Sequence, residues 1–206
     1  MIANPEKPWL DVHILHAMST REEWWEKCYE SVVIAQAQAG FPIGLHILPA
    51  EPNHLGRGRH RGFTAGEAPY VTQIDDDDYV HPHAFSQLKL PMATHADAIF
   101  PQELLEQIEE RDGVTTVHPL SLGRQRHSMK VFRREHLIDH SRWHWASDLA
   151  QLAYLEKTPG LKLLDLPEPS YVWRVYTRSH SYPLRLQYPH ELTLARQGPP
   201  FTFPDA

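Results

Sequence analysis

The chain has 206 residues, enough for one domain with a full hydrophobic core, and a hydrophobic fraction of 41% excludes a wholly disordered protein. Its net charge of −6 excludes an overall positive field for nucleic acid, and no run approaches the ~20 apolar residues that cross a membrane. Because Cys28 is the single cysteine, no intramolecular disulfide can form, and we expect a cytoplasmic protein.

The chain opens with alternating predicted strands and helices. A β-rich strand is expected over Leu10–His16, followed by a helix that begins with a doubled capping box after Ser19 and Thr20. This helix should end at Gly40, and a second strand should run over Ile43–Leu48. A strand–helix–strand opening favours a parallel sheet with a right-handed crossover.

The remaining elements continue the α/β alternation as far as a proline-rich tail. One domain over 1–183 and an irregular tail over 184–206 are therefore predicted. In chain order we expect a short helix over 59–66, a strand over 70–74, a helix over 82–90, a strand over 96–100, an exposed charged segment over 103–112, strands over 114–117 and 128–132, helices over 134–138 and 147–157, and strands over 161–166 and 171–175.

An acidic run directly follows one predicted strand. The run Asp75–Asp78 comes after the apolar strand Tyr70–Ile74. In α/β sheets ligands bind beyond the carboxyl ends of the strands, and Mg²⁺ or Mn²⁺ prefers oxygen ligands. An Asp-x-Asp (DXD) pair at a strand end suits a divalent cation with a phosphate ligand. The alternative is a solvated acidic turn.

Arginines and glycines alternate just before this strand. Arginine offers planar donors to phosphate, and glycine allows close approach of the backbone. Beside a metal site, such a segment suits a nucleotide diphosphate, and a flexible basic loop is the alternative. The residues are Arg57, Arg59 and Arg61 among Gly56, Gly58 and Gly62.

The segment from Arg59 to Asp78, RHRGFTAGEAPYVTQIDDDD, resembles the GT-A glycosyltransferases, most closely the inverting family 2 with its RNxGxxxAxGEYIxFLDxDD stretch. Three later segments are also similar to that family: MKVFRR over 129–134, Ser147-Asp148-Leu149, and GLKLLDLPEPSYVWRVYTRSHS over 160–181. The resemblance covers about Leu10 to Ser181. It implies the GT-A fold, which is a Rossmann-like α/β domain with a mixed, mostly parallel sheet flanked by helices.

The resemblance also implies a reaction and a set of roles. The expected function is inverting, metal-dependent transfer of a sugar from a nucleotide-diphosphate donor to an acceptor hydroxyl, with Mn²⁺ or Mg²⁺ as cofactor. Asp148 would be the general base and Asp77 the metal ligand. Arg59, Asp75 and Asp76 would bind the donor, with Asp75 near the ribose or the metal shell.

Two positions depart from the family pattern. The family's late histidine ligand falls on Tyr176, and His180 is the candidate replacement. The acid that follows the family's second strand is missing, and Glu51 is the candidate substitute in donor binding.

Several alternatives stay open. The chain can be a nucleotidyltransferase-like nucleotide-diphosphate enzyme, which would release pyrophosphate, or a non-catalytic relative that binds sugar or nucleotide. Asp148 can also be a first-turn helix acid favoured by the helix dipole. The sequence does not identify the acceptor; a glycan is the first option and modified nucleic acid the second.

Overall fold

The computed structural model describes residues 7–51, 53–112, 114–123, 126, 129–176, 187–188 and 190–201. Their strands are β1 (Leu10–His16), β2 (Ile43–Pro49), β3 (Tyr70–Asp75), β4 (Tyr79–Val80), β5 (Ala98–Arg111), β6 (Val114–Val117), β7 (Ser121–Leu122), β8 (Val131–Arg133) and β9 (Leu163–Tyr176). Their helices are α1 (Glu22–Gln38), α2 (Leu55–Thr64), α3 (Lys89–Ala93), α4 (Ser147–Lys157) and α5 (His190–Gln197), with 3₁₀ turns at Ser86–Leu88, Arg134–His136 and His140–Arg142. None of the helices described is both long enough and apolar enough to cross a membrane.

The strands form one mixed sheet in the order β2-β1-β3-β8-β5-β9-β4, with β6 and β7 paired to β5. The pair β1–β2 is parallel, as the strand–helix–strand opening predicts, and the pairs β1–β3 and β5–β9 are also parallel. In the register of this sheet His16 lies opposite Pro49, and Leu15 lies opposite Asp75. The carboxyl ends of β1, β2 and β3 therefore meet at one edge, where the loops that follow them lie together.

Helices cover both faces of the sheet. Because side chains alternate along a strand, β1 sends Val12 and Ile14 to one face and His13 to the other. On the first face α1 and α3 bury Cys28, Val32, Ala35 and Met92 against β1 and β3. On the second face α2 and α4 bury Phe63 and Leu155 against Val71 and Phe132. The GT-A-like α/β architecture that the resemblance implies is confirmed.

The start of α1 differs from the expected capping box. Its N-cap is Arg21, which makes no side-chain capping bond, and the Thr20 hydroxyl donates a hydrogen bond to Asp76 instead. The predicted end of the helix holds, because Gly40 takes a positive φ of 71° just after the C-cap Ala39. A contact distant in sequence has replaced a local one.

The charged segment expected to be exposed over 103–112 belongs to the long strand β5 as far as Arg111, and it is exposed at 107 and 109–112 but not throughout. Glu103 is 0% exposed, because β5 pairs with β9 as far as Ile108. The same pairing merges two expected late strands into one continuous β9.

The tail after residue 184 was expected to be irregular, but its described part contains a helix. This helix, α5, packs Leu194 and Ala195 on the indoles of Trp143 and Trp145. A helix of eight residues has too few apolar positions to give a clear helical pattern in the sequence. Its stability comes from packing on residues that lie far away along the chain.

The glycines of α2 serve close packing of this helix. The helix begins at Leu55, four residues before the predicted start, and covers the whole glycine–arginine stretch. A Cβ at Gly56 would meet the backbone carbonyl oxygens of Trp143 and His140, and a Cβ at Gly62 would meet the His13 ring. Small residues therefore let α2 approach both β1 and the turn before α4.

We predict that alanine at two glycines of α2 lowers the free energy of unfolding by different amounts. Gly56→Ala should lower the free energy of unfolding by about 2 kcal/mol, because backbone atoms must move to admit the new methyl group. Gly58→Ala is the control and should cost less, because its Cβ would lie 3.1 Å from Leu15, whose flexible side chain can move. Urea unfolding measures both variants. Equal losses would contradict the close packing inferred for Gly56.

Candidate active site

The four aspartates after β3 divide into two pairs by alternation. Asp76 and Asp78 are buried, whereas Asp75 and Asp77 are only partly buried. The turn is closed by a 3.1 Å hydrogen bond from the Asp78 amide to the Asp75 carbonyl oxygen. Each pair therefore faces different surroundings, and the two pairs can have different roles.

Asp76 holds the loop that follows β1. Its Oδ2 accepts hydrogen bonds from the Ala17 amide and the Thr20 hydroxyl, both at 2.7 Å, and lies 3.2 Å from His16 Nδ1. Burial raises the pKa of Asp76, and these hydrogen bonds oppose that shift. The contacts give Asp76 an anchoring role, and its assignment to donor binding stays a prediction.

Asp78 holds the turn against β9. Its Oδ1 accepts a 2.8 Å hydrogen bond from the Arg174 amide, and its Oδ2 accepts one from the Tyr171 hydroxyl. Burial, followed by the charges of Asp77 and Asp75, raises the pKa of Asp78 well above its ordinary value. Asp78 is therefore a buried structural acceptor that fixes the turn.

Asp77 lies between the open edge and Tyr176. Its Oδ2 accepts a 3.0 Å hydrogen bond from the Tyr176 hydroxyl, and its carbonyl oxygen accepts one of 2.9 Å from Arg174. Burial and the charges of Asp75 and Asp76 raise the pKa of Asp77 to about 7. The structure thus brings together two of the predicted metal-site residues, Asp77 and Tyr176.

Arg59 brings together three of the predicted site residues. Its Nη1 lies 3.2 Å from Asp148 Oδ1, and its Nη2 lies 3.5 Å from Asp75 Oδ1. Burial opposes the charge of Arg59, but Asp148 and Asp75 raise its pKa. Helix α2 carries the arginine, and the first turn of α4 carries Asp148. The Asp75 side chain remains 41% exposed, so this ion-pair network is accessible from solvent.

Sequence reasoning missed one buried cation beside this network. Lys130 directly precedes β8 and is buried, and burial lowers its pKa while the charges of Asp148 and Glu103 oppose that shift. The available signal was a lysine within the apolar segment Met129–Phe132. Lys130 and Arg59 place positive charge on the same side of the candidate site as Asp148.

Glu51 lies at the same edge of the sheet, just beyond β2. Its carboxylate is 3.2 Å from Arg61 Nη1, and Arg61 also donates to the Pro49 carbonyl oxygen. Its contact with the donor stays a prediction. His180 lies outside the described residues.

The open aspartates fit a hard divalent cation. Mg²⁺ takes oxygen ligands and commonly uses one or two carboxylates together with substrate phosphates. Asp75 and Asp77 offer such carboxylates, and a bound cation would offset the burial and the neighbouring charges that raise the pKa of Asp77. Asp77 and Asp75 are therefore the residues that would hold a metal.

Among the described residues, a second group has three potential ligand atoms within 4.8 Å of one another, on Asp97, Glu135 and His136. This group lies at the other end of β3. Arg133 pairs with Tyr70, the first residue of β3, and the Arg133 amide donates a hydrogen bond to the Asp97 carbonyl oxygen. Arg133 Nη1 is 3.6 Å from Asp97 Oδ1, so this group already has a cationic partner.

The sheet order and the acidic turn after β3 define a GT-A-like glycosyltransferase fold. Solved structures with this fold include S. aureus TarS 1–349 in complex with UDP-GlcNAc, with a TM-score of 0.57, 12% identity and coverage of 83% of this chain and 60% of that chain. The complex of TarS 1–349 with UDP gives a TM-score of 0.54 and 11% identity, over 80% of this chain and 60% of that chain. A longer TarS structure gives 0.51 and 14%, over 81% of this chain and 36% of that chain.

This chain therefore spans 60% of the length of TarS 1–349. No protein-family model matches the chain, and no curated protein matches its sequence. At such low identity the structural similarity shows the fold.

We predict that the two classes of aspartate differ in their effect on stability. Asp78→Ala should lower the free energy of unfolding by about 2 kcal/mol, because the Arg174 amide and the Tyr171 hydroxyl lose a buried acceptor. Asp75→Asn is the control and should cost less than about 1 kcal/mol, since its side chain is partly exposed. Urea unfolding measures both variants, and a larger loss for Asp75→Asn would contradict the division.

Proposed function

We propose that the chain is a metal-dependent glycosyltransferase that moves a sugar from a nucleotide-diphosphate donor to an acceptor hydroxyl with inversion. The observation that carries this proposal is the convergence of Asp148 and Asp75 on the buried Arg59, at the carboxyl end of β3 in a GT-A-like fold. The UDP and UDP-GlcNAc complexes of TarS support a UDP-sugar as the first donor to test.

The donor would lie along the open edge formed by β1, β2 and β3. Arg59 presents a planar cation at this edge, which suits the diphosphate, and Asp75 presents an accessible carboxylate. Asp77 and Asp75 would hold Mg²⁺ or Mn²⁺, which when bound neutralises charge on a leaving diphosphate. Asp76 would support this site by holding the loop after β1.

Asp148 would accept the proton of the acceptor hydroxyl. An alcohol is a poor nucleophile, so its proton must pass to a base as its oxygen attacks the anomeric carbon. The bond from that carbon to the diphosphate oxygen breaks on the opposite face, and a single displacement inverts the configuration. Arg59 Nη1 lies 3.2 Å from the Asp148 carboxylate, and this ion pair fixes the side chain at the site.

A carbohydrate hydroxyl is the acceptor that the surroundings favour. The Trp24 and Tyr176 rings lie with centroids 4.9 Å apart beside Asp77, and aromatic faces offer sugars an apolar surface. The net charge of −6 opposes binding of a polyanion such as nucleic acid.

The test of this function is the identity of the products. The chain should release UDP from one member of a UDP-sugar panel in the presence of Mn²⁺, and the liberated or transferred sugar should carry the inverted anomeric configuration. Release of pyrophosphate from UTP would instead indicate a nucleotidyltransferase. Binding of UDP without turnover of any sugar donor would indicate a non-catalytic relative.

We predict that Asp148→Asn lowers the rate of UDP release at least about 100-fold, because the amide cannot accept the hydroxyl proton. The affinity for UDP, measured by calorimetry, should change less than about threefold, since a base acts on the acceptor. Glu156→Gln is the matched control, because this acid lies near the other end of α4 and pairs with Arg126. Full activity of Asp148→Asn would remove Asp148 from the reaction.

We predict that Mn²⁺ with UDP raises the thermal midpoint of the chain, and that Asp77→Asn abolishes this shift while Asp97→Asn retains it. The Asp97 variant is the control because it alters the other cluster of potential ligands. A shift retained in Asp77→Asn and lost in Asp97→Asn would move the metal site to the other end of β3.

Asp77 also gives metal binding and stability a pH dependence whose sign can be predicted. With a pKa of about 7 in the folded chain against an ordinary value of 3.8, Asp77 is partly protonated at neutral pH, so the Mn²⁺ shift should grow as pH rises through 7. Without metal, the folded state binds the extra proton, and stability should fall as pH rises between those two values. Asp77→Asn should remove this fall. A metal-free wild-type midpoint that rises over this range relative to Asp77→Asn would contradict the assignment.

A further inference from the structure

Helix α5 covers the turn from which α4 begins. Leu194 and Ala195 of α5 belong to one apolar cluster with Trp143, Trp145 and Ala146, which directly precede α4. The C-terminal part of the chain is thereby packed against the segment that carries Asp148.

One carboxylate of α5 accepts hydrogen bonds from three successive backbone amides of this turn. Glu191 is 1% exposed, and its Oε1 accepts hydrogen bonds from the His144 amide at 2.7 Å and lies 2.8 Å from His144 Nδ1. Its Oε2 accepts from the amides of Trp145 at 3.0 Å and Ala146 at 3.2 Å. A buried charge is costly unless it is paired in this way, so the fold holds Glu191 at one defined position.

The local sequence explains why a distant acid is needed here. Helix α4 has Ala146 at its N-cap, and alanine offers no side-chain acceptor to the free amides at a helix start. Glu191 accepts from the amide of this N-cap residue and from the Trp145 amide before it, although it lies 45 or more residues further along the chain. Its negative charge also suits the N-terminal end of the helix dipole.

The same turn is fixed from the side of α2. The amide of Leu55, the first residue of α2, donates a 2.9 Å hydrogen bond to the His144 carbonyl oxygen. From the other side, the ring of Tyr188, just before α5, stacks on the His144 ring with centroids 3.5 Å apart. Since α2 carries Arg59 and α4 carries Asp148, the position of this turn sets where Asp148 lies relative to Arg59.

We propose that Glu191 is a positioning residue for Asp148: through the His144–Ala146 turn it orients the first turn of α4 so that Asp148 reaches the acceptor hydroxyl. This role rests on the proposed function, because it assumes that Asp148 is the base. Glu191 itself does not touch the substrate. Misplacement of a reacting group by about 1 Å can cost as much as 100-fold in rate, so an anchor of this kind matters for turnover.

The test compares Glu191→Gln with Leu194→Ala in the full chain. The first variant keeps the shape of the side chain but replaces one carboxylate oxygen with an NH₂ group that faces donors. The second loosens the packing of α5 and leaves the carboxylate in place. Glu191→Gln should lower kcat for UDP release about tenfold with an unchanged KM, whereas Leu194→Ala should stay within about twofold of wild type.

A double-mutant cycle separates positioning from a general structural role. If Glu191 acts through Asp148, Glu191→Gln should change the residual UDP release of the Asp148→Asn chain less than about twofold. A tenfold loss in both backgrounds would overturn the proposal. So would an unchanged kcat in the single variant, or an equal loss of kcat in Leu194→Ala.

Residue-resolved amide hydrogen exchange tests the same contact without any turnover. Protection of the His144, Trp145 and Ala146 amides should fall about tenfold in Glu191→Gln and be retained in Leu194→Ala. Unchanged protection would overturn the proposal even if no donor sugar is found. Failure of the proposed function differs from this outcome, because then the wild-type chain itself would turn over no UDP-sugar.

Discussion

The candidate site depends on one buried arginine placed between two carboxylates. Arg59 reaches Asp148 on α4 and Asp75 at the end of β3, so a single guanidinium joins elements from distant parts of the chain. Its charge is retained although it is buried, because two anions face it. This pairing requires α2 to lie close to the sheet and to the turn before α4, and Gly62 and Gly56 respectively permit those approaches.

The acidic turn shows how one sequence motif can combine support and chemistry. Four adjacent carboxylates repel one another, and hydrogen bonds offset part of this repulsion. Asp76 accepts from the loop after β1, and Asp78 accepts from β9. Asp75 and Asp77 remain toward the open edge of the sheet. Burial and the charges of Asp75 and Asp76 raise the pKa of Asp77, so this carboxylate carries the electrostatic cost that the hydrogen bonds of the turn leave.

Local patterns in the sequence were sufficient for much of the fold. The β-rich composition of Leu10–His16 predicted β1, and a helix was predicted over Ser147–Lys157, both with the observed bounds. The contacts that the sequence could not reveal have partners far away in the chain. Thr20 bonds Asp76 in place of capping α1, and Glu191 accepts from the amides of Trp145 and Ala146, which precede α4. Burial of Glu103 likewise follows from the pairing of β5 with β9, which no local window contains.

A crystal structure of the chain with Mn²⁺ and UDP tests the central claim most directly. The metal should lie in contact with the Asp77 carboxylate, and the UDP diphosphate should lie beside Arg59 at the edge where β1, β2 and β3 end. UDP bound elsewhere, with the side chains of Asp75 and Asp77 free of both metal and nucleotide, would contradict the site described for this fold.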